Sequence, residues 1–269
     1  MKRLHFQIGV CLILLTGCSQ IDTFIKKVPF INHSDQNGST QSNKEDRISG
    51  VSNFQLTLED NYFNQIEKVD GKSVIQNPMN ILVLVNKQFA LPAHYEPKDL
   101  IRPKVRFSFG NKHLEKSYLR KEAAHELENM FLQAKKSGIE LIAVSGYRSF
   151  DRQKEIYSAE VNKVGKALAV QVVAVPGNSE HQTGLSMDIS CESINNSLTE
   201  KFNETKEGKW LTENAHRFGY ILRYPKGKDE ITGYKFEPWH YRYVGKKAAT
   251  LIFDNNLTLE EYFHVVKKI

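Results

Sequence analysis

The spacing of apolar positions changes several times along this chain, and each change predicts an element. Across residues 119–136 apolar side chains fall at Ala123, Leu127, Met130, Phe131 and Ala134, the spacing of one helical face, with Gly138 as the stop. Residues 139–144 are β-rich and predict a central strand. Ser149 predicts the N-cap of a second helix running from 150 to about 164 and closing near Gly165. Residues 185–190 alternate: Leu185, Met187 and Ile189 face a core, while Ser186, Asp188 and Ser190 share the opposite, polar face. A short helix over 210–218 stops at Gly219. Further strands are predicted at 220–223 and 239–243, and a last helix over 258–269. Upstream, 54–60 reads as a strand and the apolar run 80–86 as a buried strand, followed by an extended segment marked by Pro92 and Pro97. No internal repeat is present. The pattern predicts an α+β fold: a single domain with an antiparallel sheet flanked by helices.

The N-terminal end follows different rules. Lys2 and Arg3 precede the apolar run Ile8-Gly9-Val10-Cys11-Leu12-Ile13-Leu14-Leu15, too short for a membrane span and suited to a signal-peptide core. The following Leu15-Thr16-Gly17-Cys18 looks like a bacterial lipobox, in which the cysteine is lipidated and becomes the mature N-terminus; the alternative is ordinary secretory cleavage near Gly17. The expected layout is a lipoprotein signal peptide over 1–17, a lipidated end and flexible tether over 18–53, and a domain over 54–269. Residues 32–50 are rich in Asn, Ser, Gln, Asp and Gly, and a flexible stretch of about thirty residues reaches roughly 30 Å. The expected location is the outer face of a bacterial membrane, with the lipid as anchor. Of the three cysteines only Cys191 then remains in the domain, so no disulfide is available and a buried, inert thiol is expected. Loss of Lys2 and Arg3 with the leader lowers the formal charge from +6 to +4, and no basic stripe with interleaved aromatics argues for a nucleic-acid partner. A monomer is expected.

The chemistry concentrates in the second half. Ser179-Glu180-His181-Gln182-Thr183-Gly184-Leu185-Ser186-Met187-Asp188 is answered by Glu237-Pro238-Trp239-His240. Catalytic zinc takes three protein ligands and keeps a position open for water. His181, Asp188 and His240 fit those ligand roles for one Zn2+ ion. Glu237 fits the general base, a carboxylate free to take a proton from water. Pro238 excludes a helix across Glu237 and His240, so this is not a helical His-Glu-x-x-His site. The other seven histidines sit in no ligand-like spacing.

These residues, with Ser145-Gly146-Tyr147-Arg148-Ser149, Arg223-Tyr224-Pro225-Lys226-Gly227-Lys228 and Ile231-Thr232-Gly233, resemble the VanY-type D-alanyl-D-alanine carboxypeptidases, a family that includes L,D-carboxypeptidases trimming peptidoglycan tetrapeptides. The likeness runs from about 80 to 245. It departs at Ser186, where the family pattern has a small Ala. The resemblance implies zinc on His181, Asp188 and His240, Glu237 as base, and Arg148 stabilising charge at the scissile carbonyl or on the substrate's terminal carboxylate. Arg148 offers a planar, permanently charged fork for either task. Tyr147, Gln153, Ser179 and Trp239 are expected to line the substrate pocket. The implied activity is zinc-dependent removal of the terminal D-alanine from peptidoglycan stem peptides, with D,D-cleavage first and L,D-cleavage of tetrapeptides as the alternative. Two rivals stay open: a wall-binding lipoprotein that keeps zinc only for structure, against which Glu237 argues, and an endopeptidase, which would tolerate a blocked C-terminus.

Overall fold

The computed structural model describes residues 56–269, which lie within one compact unit, Ser52–Ile269. The leader, Cys18 and the tether lie outside the described residues.

In chain order, β1 (Thr57–Leu58) precedes a small sheet of β2 (Ile66–Val69), β3 (Lys72–Ile75) and β4 (Phe89–Ala90), then the pair β5 (Leu100–Ile101) and β6 (Leu119–Arg120). Next come helix α1 (Lys121–Lys136), strand β7 (Ile142–Ser145) and helices α2 (Phe150–Val164) and α3 (Lys166–Val172). After them follow β8 (Ser186–Ser190), α4 (Lys206–Asn214), β9 (Tyr220–Leu222), α5 (Asp229–Thr232), β10 (His240–Tyr243), α6 (Lys246–Asp254), α7 (Leu259–Val265) and β11 (Lys267–Lys268). The main sheet has the order β7-β8-β10-β9 and is antiparallel throughout. Helices cover it, so the expected α+β architecture holds.

One sheet face packs the larger core. Met187, Ile189, Tyr220, Tyr241 and Tyr243 meet Ala123, Leu127, Met130 and Ala134 of α1. The sequence-level helix is thus correct, although its first two residues pair as β6 with β5 instead. Ser149 caps α2 by accepting from the Arg152 N–H at 3.3 Å, and Gly165 ends it at φ 83°.

Four expectations need correction. β7 is not central but ends the sheet; Ala143 makes one parallel bridge to Phe107 on its outer side. The 54–60 segment is a strand only at Thr57–Leu58, paired with β11, and the C-terminal helix stops at Val265. The run 80–86 is not a strand, although Leu82, Val83 and Val85 are buried as expected. Its backbone is satisfied by side chains: Asn64 donates to Leu84 O at 2.7 Å and accepts from Leu84 N at 3.0 Å. Arg242 donates to Ile81 O and Val83 O at 3.0 and 2.8 Å. With those groups occupied, no neighbouring strand is required. All five residues of β8 are buried, those of its polar face, Ser186, Asp188 and Ser190, included.

Candidate active site

Strand register brings the first two ligand candidates together. His240 of β10 stands directly opposite Asp188 of β8, so a cross-strand pair places imidazole beside carboxylate, with His240 Nδ1 2.9 Å from Asp188 Oδ1. His181 arrives from a 3-10 turn, Glu180–Thr183, that Gly184 ends in the left-handed region at φ 67°. A Cβ at Gly184 would lie 2.9 Å from the end of the Leu100 side chain, which can give, so it is the left-handed backbone that favours glycine there. His181 Nε2 then sits 3.4 Å from Asp188 Oδ2. One donor atom from each of His181, Asp188 and His240 lies within 4.8 Å of the others, and all three residues are buried.

Each imidazole has its far nitrogen anchored. His181 Nδ1 bonds the Gly146 carbonyl at 2.8 Å, leaving Nε2 to face Asp188. His240 Nε2 meets Glu180 Oε2 at 3.3 Å, leaving Nδ1 to face Asp188. Such outer partners fix the tautomer and ring orientation of metal-binding histidines. Two neutral-capable nitrogens and one carboxylate, converging and held from behind, fit a zinc ion.

Glu180 is the hub of this support. Its Oε1 accepts from Arg223 Nε at 2.7 Å and from Arg242 Nη1 at 2.8 Å. Arg223 continues in a two-pronged bond to Glu260 at 2.7 and 2.8 Å. Both arginines are fully buried. Burial alone would raise the Glu180 carboxyl, but the two guanidiniums and His240 outweigh it and hold the group well below the usual carboxylate range. Burial likewise works against charge on His240, yet its bonds to Asp188 and Glu180 prevail and raise it to about 9.

Sequence reasoning missed this network. Glu180 and Arg223 lay inside quoted motifs without a role. Arg242 was findable, since it follows His240 by two residues on a strand and so shares its face. Glu260 carried no local signal of a distant partner.

Glu237 stands at the other end of a tight turn from His240. The His240 N–H donates to Glu237 O at 3.1 Å, and Pro238 and Trp239 occupy the two central positions. Proline favours the first central position because its φ is already set. The Glu237 carboxyl is raised to about 7, chiefly by burial, with His240 pulling the other way and Asp188 adding to the rise.

A cavity of about 260 Å3 joins these groups. Arg148, Gln153, Ser179, Glu237 and Trp239 line it together with the three ligand candidates. The Gln153 side chain accepts from Arg148 Nη1 at 2.9 Å and donates to Ala174 O at 2.7 Å, so α2 holds the guanidinium in place. Tyr147 is a correction. It is buried and does not line the cavity. Backbone bonds from Gly146 N to Lys116 O and from Tyr147 N to Tyr118 O, both 2.8 Å, tie this stretch to residues 116–118. Ser186, where the family pattern has Ala, is accommodated: its hydroxyl lies 3.4 Å from Glu180 Oε2. Cys191 is buried and unbridged, as expected.

Comparison with known proteins places these features. The family description "VanY: D-alanyl-D-alanine carboxypeptidase" matches residues 116–246. The protein YodJ of Bacillus subtilis (strain 168) is 58% identical over 229 residues, 85% of this chain and 84% of that one. The solved LdcB LD-carboxypeptidase is 60% identical with a TM-score of 0.78, covering 80% of this chain and 100% of that chain. The vancomycin-resistance D,D-pentapeptidase VanY, crystallised in a mutant form with Zn(II), is 39% identical with a TM-score of 0.56, covering 68% of this chain and 98% of that chain. The chain therefore belongs to the VanY D-alanyl-D-alanine carboxypeptidase family and is a metallocarboxypeptidase enzyme of the peptidoglycan hydrolase type.

Proposed function

We propose that this enzyme removes the terminal D-alanine from peptidoglycan stem peptides, using one zinc ion held by His181, Asp188 and His240. The observation that carries the reading is Glu237: a half-buried carboxyl raised to about 7, outside the ligand triad yet opening on the same cavity. A site that bound metal only for structure has no use for it. Zinc, when bound, polarises a peptide carbonyl and lowers the pKa of water. Glu237 takes the proton of the attacking water on its carboxylate and delivers it to the departing amine nitrogen. Arg148, fixed by Gln153, meets negative charge, either the terminal carboxylate of the substrate or the developing oxyanion. The cavity is below the usual range for drug-sized ligands, which suits a chain end made of small residues.

Of the two bonds, we favour the L,D bond of tetrapeptide stems over the D,D bond of pentapeptides. The support is the higher identity to LdcB, 60% against 39% for the D,D-pentapeptidase, since the residues of the site are common to both readings. Incubation with defined tetrapeptide and pentapeptide stems, with the released amino acid identified by mass, tests this. Release from pentapeptide alone would restore the D,D reading. A substrate with an amidated C-terminus should resist cleavage; ready turnover of it would point to an endopeptidase. We further propose lipid attachment at Cys18 at the outer face of a bacterial membrane. Metabolic labelling with a radioactive fatty acid should mark the full chain and be lost in Cys18→Ala.

A further inference from the structure

Two clefts flank the hairpin of β2 and β3. One, of about 530 Å3, is lined by Lys68, Lys72 and Lys87, with Gln88, Val175 and Asn178 among its other walls. No carboxylate lines it. The hairpin acids Glu67 and Asp70 line the cleft on the other side, which Lys72 also borders. Among the described residues the lysine ion pairs are formed by other lysines. Lys68 Nζ donates to Ser73 Oγ at 2.8 Å, and Lys87 Nζ stands 5.1 Å from the Tyr234 ring centroid. Strand alternation turns Lys72 toward the hairpin face that also carries Glu67, so Lys68 and Lys87 are the two like charges of this cleft, without an internal counter-charge unless an anion joins them.

This cleft adjoins the catalytic cavity. Asn178 borders both, and Tyr234, beneath Lys87, lines the cavity. Asn178 is held rigidly: its amide donates to Asn86 O at 2.6 Å, and its carbonyl accepts from the Tyr234 hydroxyl at 3.4 Å. A chain whose end is seated at the triad and which leaves past Asn178 runs against the ammonium groups of Lys87 and Lys68. We propose that the cleft receives a carboxylate carried by the substrate on the N-terminal side of the scissile bond, so that the enzyme selects acidic stem peptides over their carboxamide counterparts. The inference rests on the carboxypeptidase reading and sharpens its substrate class.

The test uses the full chain loaded with zinc and matched stem peptides, one tetrapeptide pair and one pentapeptide pair. Members of a pair differ only in whether the second residue bears a free carboxylate or a carboxamide. The acidic member should have the lower KM, by roughly five- to tenfold at low salt, with the gap closing as ionic strength rises. In a variant with Lys68→Gln, Lys72→Gln and Lys87→Gln the gap should vanish through KM, with kcat unchanged. All three side chains are on exposed residues, so folding should survive, and circular dichroism checks it. Equal KM values within both pairs, or a gap that the triple variant retains, would overturn the proposal while leaving the carboxypeptidase reading intact. Cleavage of none of the peptides would instead overturn that reading. Long-chain polyphosphate is added as a competitor. If it binds the wild type and not the triple variant while the peptide pairs stay equal, the cleft serves a phosphate polymer and the substrate assignment falls.

Discussion

At the scale of single residues, the turn from Glu237 to His240 ties a candidate base to a candidate ligand by one backbone hydrogen bond. Glu237→Gln removes proton acceptance while keeping shape. Turnover should fall by at least about 10²- to 10⁴-fold, with zinc content and the thermal midpoint nearly unchanged. Metal analysis and a stem-peptide assay on the same preparation check this, and a fully active variant would remove Glu237 from the mechanism. The pH profile follows from the same group. A base must be deprotonated, and burial raises Glu237 to about 7 while a neighbouring cation lowers it. The kcat/KM profile should therefore lose activity on the acid side, with its limb at or below about 7. His240 gives a second titration. Both its nitrogens face carboxylates and it is raised to about 9, so the metal-free protein holds a proton there at neutral pH. Zinc binding must displace that proton, and affinity should weaken as pH falls below about 9. Calorimetry in buffers of different ionisation enthalpy should report about one proton released at neutral pH.

At the scale of elements, two small features separate stability from site geometry. Ser149→Ala removes the cap of α2 and should lower stability by about 1 kcal/mol, a shift of roughly 2–4 °C in Tm for a domain of this size. Gly184→Ala forces a side chain into the left-handed region and should destabilise by more than about 1 kcal/mol. Only the second should also weaken zinc binding, because Gly184 ends the turn that presents His181. Thermal melts beside zinc titrations distinguish the two. The helices read well from sequence because period, cap and stop are local: α1, α2 and their glycines were visible in the chain. The run 80–86 misled for the opposite reason. Its apolar content reports burial, but what satisfies its backbone is Arg242 and Asn64, and the arginine is about 160 residues away.

For the whole molecule, the sheet has one apolar face and one buried ionic face. Glu180, Arg223, Arg242 and Glu260 link the back of the metal site to α7 at the far end of the chain. Removing one member leaves a charge buried without its partner. Glu180→Gln should therefore cost about 3–5 kcal/mol of stability. It should also reduce zinc affinity by about 10- to 100-fold, since Glu180 orients His240. Denaturant melts and zinc titrations measure the two effects, and a variant as stable as wild type with unaltered affinity would show that the network does not support the site.

The sequence by itself singled out the candidate donor set, His181, Asp188 and His240 with Glu237 beside them, because a hydrolytic zinc site would restrict residue type and because tight turns and strand alternation are written in neighbouring residues. It also determined the α+β class through its changes of period. Only the tertiary structure decided that β7 lies at the sheet edge, that Tyr147 does not line the cavity while Gln153 holds Arg148, and that the polar face of β8 is buried, with Arg242 opposite Ser186. Those outcomes depend on strand register and on charge pairs between segments far apart in the chain, and no local pattern encodes them.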